Sequence, residues 1–272
     1  MVNVVKWDGR SETFQRKKIS QTIVRMGASP SVADELSRRI EREAHEGITT
    51  KEILDKIYRG LKEHRPSLAL RRDLRTALGL IRPKPDFEEY VRLILSEHGY
   101  KVSPNQVIQG LCVTHEIDGI ARKNGKNICI ETKRHADPHS YTPFEVTLSA
   151  KAKWDDMNEG FKKGLNKQLL DGVLIVCNTR FTDHARRYAD CVGLDHIGWN
   201  FPEGKGLDSL IEEKKLYPVS MLEGLTDDER DVLSERGVLT LKQLVSVELK
   251  TDNIPASRMR EIVDEAERIL GT

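Results

Sequence analysis

A predicted β-hairpin over residues 116–133 is the feature of this sequence that most restricts its fold. Its two strand-like arms are separated by Asn124-Gly125, the dipeptide that favours a two-residue type I′ turn. A turn of this length fixes the register of the two strands, because Lys123 must then lie opposite Lys126. The positions of all other side chains on the two arms follow from this pair.

Counting outward from the turn places Asp118 opposite Glu131. The same count places Glu116 opposite Lys133, and strand alternation puts Glu131 and Lys133 on one sheet face. Two opposed carboxylate residues, whose Cβ atoms lie about 4.5–5.5 Å apart, repel each other. A hard divalent cation would neutralise them, since Mg²⁺ commonly takes one or two carboxylates plus water and phosphate oxygens. The alternative is an exposed charged face with a Glu116–Lys133 ion pair.

The composition indicates a globular protein with two or three domains. Apolar residues make up 38% of the chain, which is enough for packed cores. With 272 residues, the chain is too long for one core of typical size. Residues 1–85 contain 19 Lys and Arg against 11 Asp and Glu, whereas residues 216–272 contain 7 against 12. We therefore expect affinity for polyanions to concentrate in the first third of the chain.

The sequence contains neither a signal-peptide core nor an apolar run of membrane-spanning length, which predicts a cytoplasmic protein without a membrane partner. The cysteines are far apart and form no CxxC pair, so zinc-ligand spacing is absent. Cys129 and Cys177 lie in apolar, strand-like runs, and we expect buried, reduced thiols.

Breaker-rich stretches at residues 81–86 and 204–218 divide the chain into three segments. The first is mostly helical, with a strand near residue 4, an Asp8-Gly9 turn and helices over 16–26, after Ser29-Pro30, after the capping box Thr49–Glu52 and over 67–80. The middle segment predicts a helix over 87–97, the hairpin, a helix over 147–170 and a parallel β-α-β unit over 173–199. The last segment predicts four or five short helices.

From residue 87 to residue 202 the chain resembles the Mrr-like branch of the PD-(D/E)XK restriction-endonuclease superfamily. The motifs that carry the resemblance are Phe87-Glu88, Gly99-Tyr100-Lys101-Val102, Glu116-Ile117-Asp118, Glu131-Thr132-Lys133-Arg134, Val173-Leu174-Ile175-Val176 and Phe181-Thr182-Asp183-His184-Ala185. The resemblance implies a mixed sheet flanked by helices. It also implies that Asp118 and Glu131 bind metal and that Lys133 is catalytic, while Glu88 matches an acid that joins the metal site in some members. A solvated helix glutamate is the alternative for Glu88. Ile117 replaces the namesake proline.

Residues 2–81 resemble the ATP-cone domain, a nucleotide-sensing module. The carriers are Val5-Lys6-Trp7-Asp8-Gly9-Arg10, Phe14, Arg16, Lys18-Ile19 and Gly47-Ile48-Thr49-Thr50. Lys6, Arg10 and Lys18 could gather cationic donors around a triphosphate. The resemblance implies that Lys18 contacts phosphate and that Thr50 lies by the nucleotide, with ATP or dATP as the effector. Trp7 and Leu54 depart from the family pattern, and a basic wing that grips DNA phosphates is the alternative.

Residues 222–270 resemble tandem helix-hairpin-helix domains, which hold DNA by backbone amides. The carriers are Leu225-Thr226 through Leu233, Gly237-Val238-Leu239-Thr240, Leu244 and Ile254-Pro255-Ala256-Ser257. Leu225-Thr226-Asp227 replaces the family's Gly-x-Gly, and the segment is acidic. Protein contact or domain docking is therefore an equal alternative to DNA binding.

Together these features predict a multidomain α/β protein with a nucleotide-binding domain (1–82), a restriction-endonuclease-like domain (86–203) and an all-α domain (216–272). The predicted function is a Mg²⁺- or Mn²⁺-dependent DNA endonuclease that hydrolyses phosphodiester bonds and responds to ATP or dATP. Because cutting both strands of a duplex usually needs two centres, a homodimer is one expected assembly. The alternatives are a nucleotide-responsive DNA-binding regulator that does not cut DNA and an interaction scaffold.

Overall fold

The computed structural model describes residues 2–6, 9–25, 28–64, 74–247, 251 and 253–271. The chain forms two compact units, Met1–Arg71 and Arg72–Thr272. The multidomain α/β architecture predicted from the sequence is confirmed.

The first unit consists of a small sheet and helices. Its described elements are β1 (Asn3–Val5), β2 (Ser11–Thr13), α1 (Arg16–Arg25), α2 (Pro30–Glu43), β3 (Ile48–Thr49) and α3 (Thr50–His64). β1 pairs antiparallel with β2 and parallel with β3. The core between sheet and helices contains fully buried aliphatic side chains such as Ile23, Leu36 and Ile48, as the predicted mostly helical domain requires.

The predicted helix starts of this unit are confirmed by their caps. The Ser29 hydroxyl accepts a hydrogen bond from the Val32 amide ahead of α2. The Thr49 hydroxyl accepts one from the Glu52 amide, and the Glu52 carboxylate accepts one from the Thr49 amide, which completes the predicted capping box. Asp8 of the predicted turn, Met26 at the end of the first predicted helix and residues 67–73 of the fourth lie outside the described residues.

The second unit is built on a mixed sheet. In its described part, five strands hydrogen bond in the order β12-β10-β8-β7-β4, and their bounds are β4 (Lys101–Ser103), β7 (Gly119–Lys123), β8 (Lys126–Lys133), β10 (Gly172–Cys177) and β12 (Asp195–Ile197). β8, β10 and β12 run parallel, while β4 and β7 are antiparallel to their neighbours. Short two-stranded sheets pair β5 (Gln106–Gln109) with β6 (Thr114–Ile117) and β9 (Tyr141–Thr142) with β11 (Arg180–Phe181).

Helices cover both faces of this sheet. They are α4 (Leu74–Leu80), α5 (Glu88–Glu97), α6 (Phe144–Lys162) and α7 (Asp183–Val192), with an irregular helical turn at Pro83–Phe87. The predicted helix over 87–97 is confirmed as α5, which buries Tyr90, Val91, Ile94 and Leu95, and α7 with its flanking strands forms the predicted β-α-β unit. The predicted end of the long helix at residue 170 is wrong, because Gly164 adopts a left-handed conformation (φ +73°) directly after α6.

The last helices are α8 (Leu207–Lys214), α9 (Asp227–Glu235), α10 (Leu241–Ser246) and α11 (Ala256–Leu270), with a 3₁₀ turn at Val219–Met221. Their apolar side chains and those of α5 and β10 belong to one continuous hydrophobic cluster. Tyr90, fully buried on α5, donates a 2.7 Å hydrogen bond to the Leu216 carbonyl. The final segment is therefore docked on the sheet domain. No helix of the described residues has the length and apolarity to cross a membrane.

The hairpin turn has the predicted form, since Asn124 and Gly125 both have positive φ (52° and 76°) and Lys123 pairs with Lys126. The predicted pairing of Glu116 with Lys133 is wrong. Regular pairing with β8 ends at Gly119, and Glu116 instead pairs with Val107 of β5.

The bend at Gly119 has a steric basis. A Cβ atom there would lie 2.7 Å from the Ser103 carbonyl oxygen, so the chain passes β4 more closely than a side chain allows. On the N-terminal side of Gly119, the chain lies outside the main sheet.

Among the cysteines, Cys129 and Cys177 are buried free thiols as predicted, whereas Cys112 and Cys191 are free but exposed. Burial raises the pKa of the Cys129 thiol to about 12 and that of Cys177 to about 11. Both buried thiols are therefore protonated and chemically inert at neutral pH.

Replacing Tyr90 by Phe tests the docking of the last segment. The variant leaves the Leu216 carbonyl without its buried donor, so we expect the free energy of unfolding to fall by about 1–2 kcal/mol. Urea denaturation measures this change. The control is Tyr141→Phe, which alters a half-exposed ring and should unfold like the wild type. If Tyr90→Phe were as stable as this control, the Tyr90–Leu216 hydrogen bond would not be stabilising.

Candidate active site

Asp118 directly precedes β7, at the point where the chain enters the main sheet, and its carboxylate is buried. Oδ2 accepts hydrogen bonds from the Thr132 amide (2.6 Å) and the Thr132 hydroxyl (2.8 Å). Arg92 Nη1 donates to the Asp118 backbone carbonyl at 2.8 Å. Both carboxylate bonds end on Oδ2, so Thr132 fixes the rotamer of this side chain through one oxygen.

Glu131 is buried on β8 and lies between two lysines. Lys133 Nζ lies 2.9 Å from Oε1, which confirms that both side chains share one face, and Lys153 Nζ from α6 lies 3.0 Å from Oε2. Burial raises the pKa of Glu131, but the charges and hydrogen bonds of Lys133 and Lys153 outweigh it and leave the pKa below its usual value. Glu131 is therefore ionised at neutral pH.

Glu88 is the third buried carboxylate of this region. Burial and the negative charge of Asp118 raise the pKa of Glu88 above its usual value, against the opposing effect of Lys84 and Arg92. Lys84 Nζ lies 3.3 Å from Oε1. Within the described residues this buried oxygen nevertheless accepts no hydrogen bond. An ionised Glu88 therefore lacks full compensation, which is the condition under which a buried carboxylate gains from a nearby cation.

A divalent cation fits this donor set with a low number of protein ligands. The described residues contain no group of three or more His, Cys, Asp or Glu placed to hold a metal. Asp118 and Glu131 supply two hard oxygen donors, which is the number that Mg²⁺ commonly takes from a protein. The predicted repulsion between them does not by itself require a cation, because Thr132, Lys133 and Lys153 already compensate both charges.

Lys153 and Thr132 are site residues that the sequence did not reveal. Thr132 lies inside the recognised Glu131–Lys133 motif. It carries a hydroxyl group, which the aliphatic residues that favour β-strands lack. Lys153 is one of several lysines on α6, and only the packing of this helix on the sheet shows which of them reaches Glu131.

Two of the three histidines between residues 115 and 139 have structural partners. His115 Nε2 lies 2.7 Å from Asp156 Oδ2, and His135 Nε2 lies 3.0 Å from the Thr142 hydroxyl. Burial, followed by the charges of Arg134 and Lys133, lowers the pKa of His135, so this ring is neutral at physiological pH. His139 is exposed.

Trp154, Trp199 and Tyr141, three aromatic residues that could stack on bases, differ in burial. Trp154 is partly buried and donates from its indole nitrogen to the Leu170 carbonyl. Trp199 is partly buried beside Arg75. Tyr141 is half exposed.

The first unit contains a cavity of about 320 Å³ whose lining includes Lys6, Lys18 and Thr50. Arg10 is not among the lining residues. Glu12 also lines the cavity, 2.9 Å from Lys6 Nζ and 3.3 Å from Lys18 Nζ. Hydrogen bonds from Lys6 and Lys18 lower the pKa of Glu12. The cationic end of the cavity is thus paired with the protein's own carboxylate.

The hairpin between α9 and α10 has its amides satisfied internally. Gln243 Oε1 accepts from the Leu239 and Thr240 amides at 3.0 Å each, while the Gly237 and Val238 amides donate to carbonyls at the end of α9. Asp227 and its acidic neighbours occupy the first turn of α9. Phosphate binding by this hairpin would require Gln243 to move, which favours the docking alternative.

Comparison with known proteins matches each part of this architecture. The family "ATP cone domain" matches residues 2–75, "Restriction endonuclease" (Mrr_cat) matches residues 83–197, and "AF1548-like, C-terminal" matches residues 217–270. Residues 83–197 are thus a restriction endonuclease domain of the Mrr-like family. The chain joins this domain to an ATP cone and an AF1548-like C-terminal domain.

Two relatives of this Mrr-like protein carry no assigned activity. An "Uncharacterized protein" of Archaeoglobus fulgidus is 33% identical over 181 residues, which is 65% of this chain and 98% of the relative. The solved structure "Crystal Structure of Protein of Unknown Function AF1548" is 31% identical with a TM-score of 0.57, over 68% of this chain and 96% of that one.

A Glu88→Gln substitution tests whether this carboxylate is held at a cost to stability. A raised folded-state pKa means that the stabilising contribution is present below the unfolded value and is lost as pH rises through the folded value. In chelator-treated protein at pH 7.5 we therefore expect Glu88→Gln to unfold at higher urea than the wild type. The difference should disappear below about pH 4, near the ordinary glutamate value.

The matched control is Glu89→Gln, which changes the exposed neighbour on the same helix and should leave the urea midpoint unchanged at both pH values. A lower midpoint for Glu88→Gln at pH 7.5 would show that its contact with Lys84 dominates over burial.

Proposed function

We propose that this Mrr-like protein is a metal-dependent DNA endonuclease with Asp118, Glu131 and Lys133 as its catalytic centre. The observation that supports it most is the pair of buried carboxylates held at the end of one hairpin, each fixed through a different neighbour. Such a fixed, oxygen-rich arrangement is costly to bury and is typical of sites that bind a cation. The family's restriction endonuclease domain implies a divalent metal and a nucleic-acid substrate.

In this proposal Asp118 and Glu131 hold Mg²⁺ or Mn²⁺, with Glu88 adding negative charge beside them. The bound ion supplies Lewis-acid polarisation of the scissile phosphate and a lower pKa for the attacking water. Thr132 keeps Asp118 in one rotamer during the reaction. Lys133 carries a positive charge beside Glu131, where it orients the water or stabilises the charge that develops on phosphate oxygens.

The substrate proposed here is DNA, bound mainly by electrostatic attraction to phosphates. The internally satisfied hairpin between α9 and α10 argues against a helix-hairpin-helix mode for the C-terminal domain. A homodimer would bring two centres to a duplex, and this assembly is part of the proposal.

The first unit is proposed to bind ATP or dATP in the cavity that Lys6, Lys18 and Thr50 line. A triphosphate would take both lysines from Glu12, so binding would exchange one anionic partner for a more highly charged one. Arg10 contributes only if it turns toward the cavity. The nucleotide would act as an effector of the nuclease.

The catalytic proposal is tested with Asp118→Ala and Lys133→Ala on plasmid and branched DNA in Mg²⁺ or Mn²⁺. Each variant should lower the cleavage rate by at least about a hundredfold, because each removes a group that acts on the transition state. Gel analysis of nicked and linear products gives the rate. Lys126→Ala, at the other end of β8, is the control and should cut like the wild type.

Cleavage by both variants at the wild-type rate would refute this centre. A specific alternative, a DNA-binding regulator, predicts nucleotide-dependent gel retardation without product under any metal. Absence of cleavage together with absence of ATP binding in calorimetry would leave the interaction scaffold.

The nucleotide site is tested by calorimetry with ATP and dATP on three variants. Lys18→Ala removes a phosphate partner and should weaken binding about tenfold or more. Glu12→Gln removes the competing carboxylate and should tighten binding several-fold. Lys17→Ala, an exposed neighbour that does not line the cavity, should bind like the wild type; weaker binding by Glu12→Gln would show that Glu12 does not compete with phosphate.

A further inference from the structure

The contacts of Glu131 restrict how a metal ion could bind to its carboxylate. Each of its carboxylate oxygens already contacts one ammonium group, Oε1 that of Lys133 and Oε2 that of Lys153. A cation that binds either oxygen through its second lone pair would lie beside an ammonium group, and Coulomb repulsion between the two would favour the release of one lysine. The structure distinguishes the two lysines.

Lys153 is the more firmly placed of the two. It lies in the middle of α6, a long helix that packs on the sheet through the fully buried Met157. The side chain of Lys153 is 30% exposed, against 43% for Lys133. A lysine anchored on a packed helix keeps its contact more readily than one at the last residue of a strand.

Lys133, in contrast, is the final residue of β8, and the chain leaves the sheet directly after it. Its ammonium group can move away from Glu131 without a change in the packing of a helix. Release from Oε1 would also free Lys133 for the scissile phosphate, which is the role assigned to it above.

We propose that Lys153 is a positioning residue that keeps Oε2 of Glu131 engaged while Oε1 exchanges Lys133 for the metal ion. This inference rests on the proposed nuclease function. It assigns different tasks to two lysines that make equivalent contacts in the structure: Lys153 holds the ligand, and Lys133 is released by metal binding.

The first experiment measures Mn²⁺ affinity by calorimetry for Lys153→Gln, Lys153→Arg and the wild type. Loss of a positive charge beside the metal should tighten Mn²⁺ binding at least about threefold in Lys153→Gln. Cleavage at saturating Mn²⁺ should nevertheless fall at least about tenfold, because Glu131 loses its orientation. Lys153→Arg should restore both values toward the wild type.

The combination of tighter metal binding and slower cleavage separates positioning from structural damage, which would weaken both. The matched control is Lys151→Gln on the same helix, whose ammonium pairs with Asp155 instead of Glu131. Unchanged affinity and rate in Lys153→Gln, or weaker Mn²⁺ binding in a variant that melts like the wild type, would overturn the proposal.

A second measurement does not require a variant to fold. In wild-type protein with ¹⁵N-labelled lysine side chains, Mg²⁺ should shift the ammonium resonance of Lys133 and leave that of Lys153 protected from exchange. Release of Lys153 with retention of Lys133 would overturn the assignment. If the wild type binds metal but cuts no DNA, the nuclease proposal fails while this test of partner exchange still gives an answer.

Discussion

The burial of β8 on both sheet faces is the constraint on which the rest of the site depends. Packing between α5 and α6 gives this strand its stability, but it also takes Glu131 out of water. An ionised carboxylate in that position needs compensation from its surroundings. The lysines and the threonine around Glu131 and Asp118 meet this one requirement. The same low-dielectric surroundings would strengthen the electrostatic attraction between these carboxylates and a bound cation.

The parts of the fold that local chemistry decides were predictable from the sequence. The Asn124-Gly125 turn, the capping box at Thr49 and the β-α-β unit each depend on residues close together in the chain. The predicted register failed on the N-terminal side of Gly119, where the chain pairs with β5 instead of β8. β5 is short and polar at both ends, so its sequence gives no strand pattern. Lys153 was missed for a related reason: which face of α6 meets the sheet is decided by packing between distant segments.

A similar balance recurs in all three parts of the chain, where the protein's own groups occupy positions that a ligand would take. Glu12 pairs with the cavity lysines, Lys133 and Lys153 pair with Glu131, and Gln243 holds the hairpin amides. In the first two cases the proposed ligand, a triphosphate or a divalent cation, carries a higher charge than the internal partner that it would displace. In the third, the internal partner is a neutral amide placed by a helix cap, and the acidic surroundings give phosphate no advantage.

The continuous core between the sheet domain and the last helices has a consequence for how such proteins diversify. Tyr90 and the apolar side chains around it belong to both parts at once, so a gene rearrangement that separated them would leave two incomplete cores. Selection should therefore keep these two parts together and let them change in step. The first unit has a hydrophobic core of its own, which makes it the part that recombination can add or remove.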